Sequence, residues 1–223
     1  MDTALEFNLV EFLQEAFSCS ADVASCIAQR AVERRLPVRA VILKQGDCAG
    51  STFLLTVGRA HALTYGLDGH LVLLHEFLPG DIFGAIAYAV PAPEQADVIA
   101  TDDVRLAVFL APDFLALIES HSCIGLAVSR TLLRQLRAVA DRMVERTLSA
   151  TGRVYFELLR LARLADGHTV RPAPVLASLA VRVNITRETV SRTINALERR
   201  GIIRRETDAL IIVAPHRLEE MIV

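Results

Sequence analysis

The chain has no tryptophan, one lysine (Lys44) against 23 arginines, three tyrosines and an aromatic share of only 5% across 223 residues. It also lacks any apolar run of the roughly 18–20 residues needed to span a bilayer, which excludes a transmembrane helix. Its N-terminus, MDTALEFNLVEF, is acidic and has none of the basic start of a secretion signal, so a cytoplasmic protein is expected. Four cysteines, Cys19, Cys26, Cys48 and Cys123, are too few and too scattered for the disulfide framework of a secreted domain. No internal repeat and no low-complexity tract interrupts the chain. What is abundant is apolar surface: 52% of residues are hydrophobic, enough to bury one or two cores.

Net charge is only −2, but it is unevenly placed. Residues 150–223 hold 12 arginines and 8 acidic residues, about +4, whereas residues 1–149 hold 12 basic and 18 acidic ones, about −6. A basic C-terminal part joined to an acidic partner fits a nucleic-acid reader attached to a sensor.

The most informative stretch starts at Pro174 and reads PVLASLAVRVNITRETVSRTINALERRGII. Leu176, Leu179 and Val183, with small Ala180, predict a short helix ended by a turn at Asn184, a residue type that tolerates the left-handed conformation. A second helix is predicted from Thr186, whose hydroxyl suits the N-cap, with Val190, Ile194 and Leu197 inward. Its outer side then carries Arg187, Glu188, Ser191 and Arg192 near the N-terminus, where a recognition helix meets base edges in the major groove. Singly, each of these is an ordinary solvated side chain; the pattern is what points to DNA. Ile202–Ile203 and Leu210–Val213 predict a two-stranded wing around Thr207-Asp208.

Upstream, Leu9, Phe12, Leu13, Ala16 and Phe17 predict helix over 4–31. From Pro37 to Leu110 short apolar runs alternate with turn residues. Strands are predicted at Ala40–Leu43, Thr52–Val57, Ala60–Thr64, Leu71–His75, Asp97–Ala100 and Leu106–Leu110, the pattern of a small antiparallel barrel or jelly roll. A helix over Asp113–His121 precedes a long one running to Ser149. Leu132, Leu136, Val139 and Met143 fall on it at spacings of four, three and four, a coiled-coil seam that small Gly125 and Ser129 extend backwards. The competing reading packs that stripe on the chain's own barrel.

TRETVSR (186–192) followed by LERRGII (197–203), preceded by TGRVYFELLRLA (151–162), resembles the DNA-binding domain of the CRP/FNR superfamily of bacterial transcription regulators. LPGDIFGAIAYAV (78–90) resembles that family's glycine-punctuated barrel segment, so the likeness runs along nearly the whole chain. It implies an α+β protein: an N-terminal antiparallel β-barrel or jelly-roll sensor domain of the cyclic-nucleotide-binding type over 1–121, a dimerisation helix over 122–149, and a winged helix-turn-helix over 150–223. It also implies a homodimer that binds palindromic double-stranded DNA and works with RNA polymerase; an unidentified small-molecule effector and regulation without any ligand both stay open.

In cyclic-AMP-binding relatives a Gly-Glu-Leu motif holds the ribose and an Arg-Ser or Arg-Ala pair holds the phosphate. Here those places fall on Gly84-Ala85-Ile86 and Gln95-Ala96, and the adenine-contacting pair of the long helix falls on Ala138-Val139. Without the carboxylate and the guanidinium, a buried phosphate would lose its charge-assisted bonds yet keep its desolvation cost. Control by cyclic AMP is therefore not expected, and the effector pocket is placed near Gly84, Ala85, Tyr88, Gln95, Ala96 and Ala138 with its ligand open.

The same resemblance admits gas or redox sensors. An iron–sulfur cluster would need tighter cysteine spacing than Cys19, Cys26 and Cys48 show. Haem would need an axial ligand among His61, His70, His75 and His121, and no c-type attachment motif is present. A thiol switch is the third variant. Outside the family, a cupin-like metalloenzyme would have to build its site from His70, His75 and Glu76, which lack a matching third histidine and leave the helix-turn-helix unexplained. No cofactor and no catalytic residue is assigned.

Overall fold

In the computed structural model, residues 7–48, 50–66, 69, 71–86 and 93–222 are described, and two compact units divide the chain. One holds residues 1–64 and 74–138, the other residues 65–73 and 139–223.

The first unit opens with α1 (Leu9–Phe17) and α2 (Ala21–Ala28), two helices within the stretch where helix was expected over 4–31. Apolar periodicity continues across the break, but Ser18 adopts φ 50°, which ends α1, and the Ser20 hydroxyl accepts from Val23 N–H to start α2. Residues 1–6 lie outside the described residues.

Eight strands follow: β1 (Val32–Leu36), β2 (Val41–Leu43), β3 (Ser51–Val57), β4 (Ala60–Tyr65), β5 (Leu71–Phe77), β6 (Ile82–Gly84), β7 (Asp97–Ala100) and β8 (Val104–Leu110). They form two four-stranded sheets in the orders β1-β8-β3-β6 and β2-β7-β4-β5, and the pairs β1-β8, β8-β3, β3-β6, β2-β7 and β7-β4 are antiparallel. The sequence pattern missed β1 and β6. β1 reads VERRL, nearly all exposed, because it is an edge strand whose charges discourage further pairing. β6 is too short to show alternation.

β3 explains how this unit is layered. Phe53 and Leu55 enter the interior between the sheets with Phe83, Val104 and Leu106, while Leu54 faces the other way into a cluster with Phe17, Ile27, Phe114 and Ile124 from the helices. A strand covered on both faces shows a continuous apolar run rather than alternation. Its two buried threonines spend their hydroxyls locally: Thr52 donates to Ala85 C=O and Thr56 to Arg105 C=O.

After β8 come α3 (Ala111–Ser120) and α4 (Ser122–Glu145), the latter ending four residues earlier than Ser149. Arg134 of α4 pairs with buried Asp81 at 2.7 Å, and Gln135 donates to Ile82 C=O, so this part of the helix is fastened to the turn before β6.

The second unit contains α5 (Ala150–Arg163), β9 (Thr169–Val170), α6 (Leu176–Val183), α7 (Arg187–Arg199), β10 (Ile203–Arg205), β11 (Leu210–Ile212) and α8 (Pro215–Glu220). Its core joins Val154, Leu158 and Ala162 of α5 to Leu179 and Val183 of α6, Val190, Ile194 and Leu197 of α7, and Ile203, Leu210 and Ile212 of the sheet. The wing has three strands rather than two, since β9 pairs with the free side of β11 in the order β10-β11-β9. A two-residue strand leaves no readable pattern in the sequence.

Candidate nucleic-acid interface and sensor residues

α6 ends as its sequence predicts. Asn184 takes φ 52° and ψ 58°, and its N–H and that of Ile185 bond back to carbonyls of the last turn. Two residues later the Thr186 hydroxyl accepts from Thr189 N–H at 3.2 Å and opens α7. Ala180 is 5% exposed inside the helix pair, where a larger side chain would push the helices apart.

Val190, Thr193, Ile194 and Leu197 face inward, and the opposite side of α7 presents Arg187, Glu188 and Arg192 to solvent with Ser191 half-buried between them. Thr186, at the cap, is also exposed. All five candidate DNA-contacting residues thus occupy the first turns of one helix. The unpaired N–H groups there give that end a partial positive charge, which adds to the two arginines. Arg192 reaches back to Thr189 Oγ1 at 3.3 Å, so its guanidinium is held near the N-terminal end.

Three supporting side chains were not legible in the sequence. Arg153 of α5 donates from Nε to Val183 C=O at 2.9 Å and from Nη2 to Asn184 C=O at 3.4 Å. It thereby satisfies carbonyls at the tight turn itself. Glu157, 4% exposed, takes Arg160 on both oxygens at 2.6 and 2.8 Å and Arg182 of α6 at 3.3 Å, which ties α6 to α5. On the other flank Arg205 of the wing bonds to Asn195 and pairs with Glu198, both on α7.

The seam residues Leu132, Leu136, Val139 and Met143 are all exposed, from 44% to 67%, as are Leu133 and Val144. A helix of 24 residues that leaves so many large apolar side chains in water has an uncovered stripe.

The candidate effector residues are dispersed. Gly84 closes β6 at φ +85°, and a Cβ there would lie 2.7 Å from Ser51 C=O. Ala85 is buried, with its N–H on Ser51 C=O and its C=O accepting from Thr52. Ala96 packs in the core between the sheets, whereas Gln95 is exposed and Ala138 half-buried on α4. Tyr88 lies outside the described residues. Gly84, Ile86, Leu115, Ile118, Gly125, Val128, Ser129 and Leu132 border an apolar cleft of about 600 Å³; among the described effector candidates Gly84 alone lines it.

Cys19, Cys26 and Cys123 pack against the helical core, while Cys48 is exposed. Burial, with Cys123 beside it, pushes the Cys19 thiol up, which keeps that sulfur protonated. His61 Nε2 lies 3.4 Å from Glu76, His75 packs on Phe77, and His121 caps the end of α3. His70 lies outside the described residues. Among the described residues no group of three or more His, Cys, Asp or Glu side chains could hold a metal ion, and no helix is long and apolar enough to cross a membrane.

Comparison with known proteins decides the family. The cyclic nucleotide-binding domain family matches residues 33–121, and the Crp-like helix-turn-helix domain family matches residues 152–221. The cyclic AMP receptor protein of Thermus thermophilus is 31% identical over 176 residues, spanning 77% of this chain and 80% of that one. The chain belongs to the CRP/FNR superfamily of transcription regulators. A CooA variant from Carboxydothermus hydrogenoformans superposes with a TM-score of 0.77 at 18% identity, over 98% of this chain and 97% of that structure. The c-di-GMP responsive global regulator CLP of Xanthomonas campestris gives 0.75 at 17% identity, over 86% and 99%. At these identities the likeness is one of fold.

Proposed function

We propose that this CRP/FNR superfamily member is a sequence-specific transcription regulator that binds palindromic double-stranded DNA as a homodimer and is not controlled by cyclic AMP. The observation that carries the reading is the capped start of α7, where Arg187, Glu188 and Arg192 stand exposed around Ser191 and Thr186. Arginine can donate two hydrogen bonds to guanine O6 and N7, and glutamate can accept from cytosine N4. One such helix reads too few base pairs to be selective. Two copies related by a two-fold axis would place their α7 helices about 34 Å apart, one turn of DNA, on the same face of the duplex. The uncovered stripe of Leu132, Leu136, Val139 and Met143 supports that pairing.

Ala85 and Gln95 support the second half of the reading. Ala85 supplies no carboxylate for a ribose and Gln95 no cation for a cyclic phosphate. The partners are then DNA, a second copy and RNA polymerase, any effector is of other chemistry than cyclic AMP, and the place of action is the cytoplasm. Neither catalysis nor a resident metal enters this reading. Gel-shift titration of the purified protein against random and selected duplexes tests it. Selective binding should appear, with log affinity falling linearly as log salt rises, because each phosphate contact releases counterions. Equal affinity for all duplexes, or none for any, would end the proposal.

A further inference from the structure

β1 and β8 pair so that Arg35 lies directly opposite Arg105. Residues opposed in an antiparallel pair share a sheet face with Cβ atoms about 4.5–5.5 Å apart, and like charges in that position repel. Neither guanidinium has an ion pair or hydrogen bond among the described residues. Arg105 is half-buried and has its guanidinium carbon 5.3 Å from the centre of the Phe7 ring, which holds it in place without neutralising it. Both arginines line a cleft of about 500 Å³ whose walls include Leu36, Val57 and Val104. Asp103 is also in the lining, its Oδ1 accepting from the Val38 N–H at 3.0 Å, and the described lining residues carry a net positive charge of one. This concentration of cation is set in the part of the chain that is acidic in sum.

A volume of this size is that of a small-molecule site, apolar walls with a few polar groups are its usual lining, and planar guanidinium forks match the oxygens of a carboxylate or phosphate. We propose that the Arg35–Arg105 cleft binds a small organic anion, a carboxylate or phosphate monoester carrying an apolar body. Among the described residues the site shares no lining residue with the effector candidates Gly84, Ala85, Gln95, Ala96 and Ala138, and it does not depend on how α7 reads DNA. The anion would relieve the repulsion across the strand pair, so occupancy should stabilise the native state.

The test is isothermal titration and thermal melting of the full chain with hexanoate and hexyl phosphate, alongside inorganic phosphate, hexylamine and an acidic peptide. Hexanoate or hexyl phosphate should bind and raise the melting temperature, and which of them binds more tightly assigns the head group. Hexylamine should do nothing. Arg35→Gln and Arg105→Gln should each weaken binding about tenfold or more, the scale of one charge-assisted hydrogen bond, and Arg105→Lys should not restore it fully. Without ligand, Arg35→Gln should melt no lower than the parent protein, because it removes a repulsion. Failure of both amphipathic anions to bind, binding unchanged in both Gln variants, or a large drop in melting temperature of unliganded Arg35→Gln would each overturn the proposal. Inorganic phosphate binding as tightly as hexyl phosphate would overturn the apolar part of it. Binding of the acidic peptide alone would reassign the cleft to a protein partner.

Discussion

Arg153 on α5 reaches the carbonyl of Val183, thirty residues away at the end of α6, with a 2.9 Å hydrogen bond. The same guanidinium also donates to Asn184 C=O and Leu148 C=O, so one side chain completes the end of α6, the left-handed turn and the chain before α5. The angle between α6 and α7 is therefore set in part from outside the helix pair. Arg153→Met keeps much of the aliphatic bulk and removes every donor. Hydrogen bonds from charged groups contribute roughly 1.5–3 kcal/mol, and urea unfolding should show a loss of about that size. DNA affinity should fall while the preferred bases stay the same, because no base-reading residue is touched. A shifted base preference would show that Arg153 does more than hold the turn.

The stripe on α4 leads to a second expectation. Leu136 is 65% exposed at the centre of the seam, so a charge there is tolerated in the single chain and excluded only by a partner helix. Leu136→Asp should fold normally by circular dichroism, sediment as a monomer and lose most DNA affinity. Sedimentation of this variant as a stable dimer would place the interface elsewhere.

Cyclic AMP offers a third check. With Ala85 buried and holding its own backbone bonds, and Gln95 uncharged and exposed, calorimetry should detect no tight binding of the nucleotide and gel shifts no dependence on it. Micromolar affinity with a matching gain in DNA binding would contradict the reading.

Asp166, in the connection between α5 and β9, accepts from His168 N–H and from the N–H and hydroxyl of Thr169. Those donors, His168 N–H first, hold its carboxyl down at about 2 against an ordinary 3.8. A depressed acid favours the native state while it is ionised. Its contribution is fully present above about pH 4 and is lost as pH falls towards 2. Asp166→Asn should therefore destabilise the protein at pH 7, and the gap from the parent should narrow in melts taken towards pH 2. A gap independent of pH would mean that the loop is held by something other than the carboxylate.

What could be read in the sequence was what local chemistry decides. Asn184 and Thr186 announce their turn and cap because the left-handed conformation and the N-cap each favour few residue types. The inward face of α7 shows as a period because one side is covered. Where structure depends on distant partners the sequence is silent. Nothing in TGRVYF marks Arg153 as bonded to a carbonyl thirty residues on, and Arg35 reads as one more charge on a polar stretch until β8 sets Arg105 opposite it. The break at Ser18 was hidden for another reason, since the apolar stripe runs on through it and only backbone geometry reveals two helices. For the effector residues, the motif positions near Gly84 and Gln95 could be located by resemblance, but their side chains name no ligand.

Arg192 is exposed on α7, steadied by Thr189 Oγ1 at 3.3 Å, and one turn from Glu188. If Arg192 donates bidentately to guanine, Arg192→Ala should cost about 1–3 kcal/mol on the preferred site and relax selection at one base pair of each half-site. Arg187→Ala gives a parallel comparison from the first turn. An arginine that touches only phosphate would instead weaken every sequence alike and reduce the salt slope. Selecting sites from random duplexes with the parent protein and with Arg192→Ala, followed by affinities at several salt concentrations, separates these cases. An inverted repeat with TGA or GA in its half-sites is expected for the parent. Unchanged selection in Arg192→Ala, with a shallower salt slope, would make this residue a positioner of the helix and leave base reading to Glu188, Arg187 and Ser191.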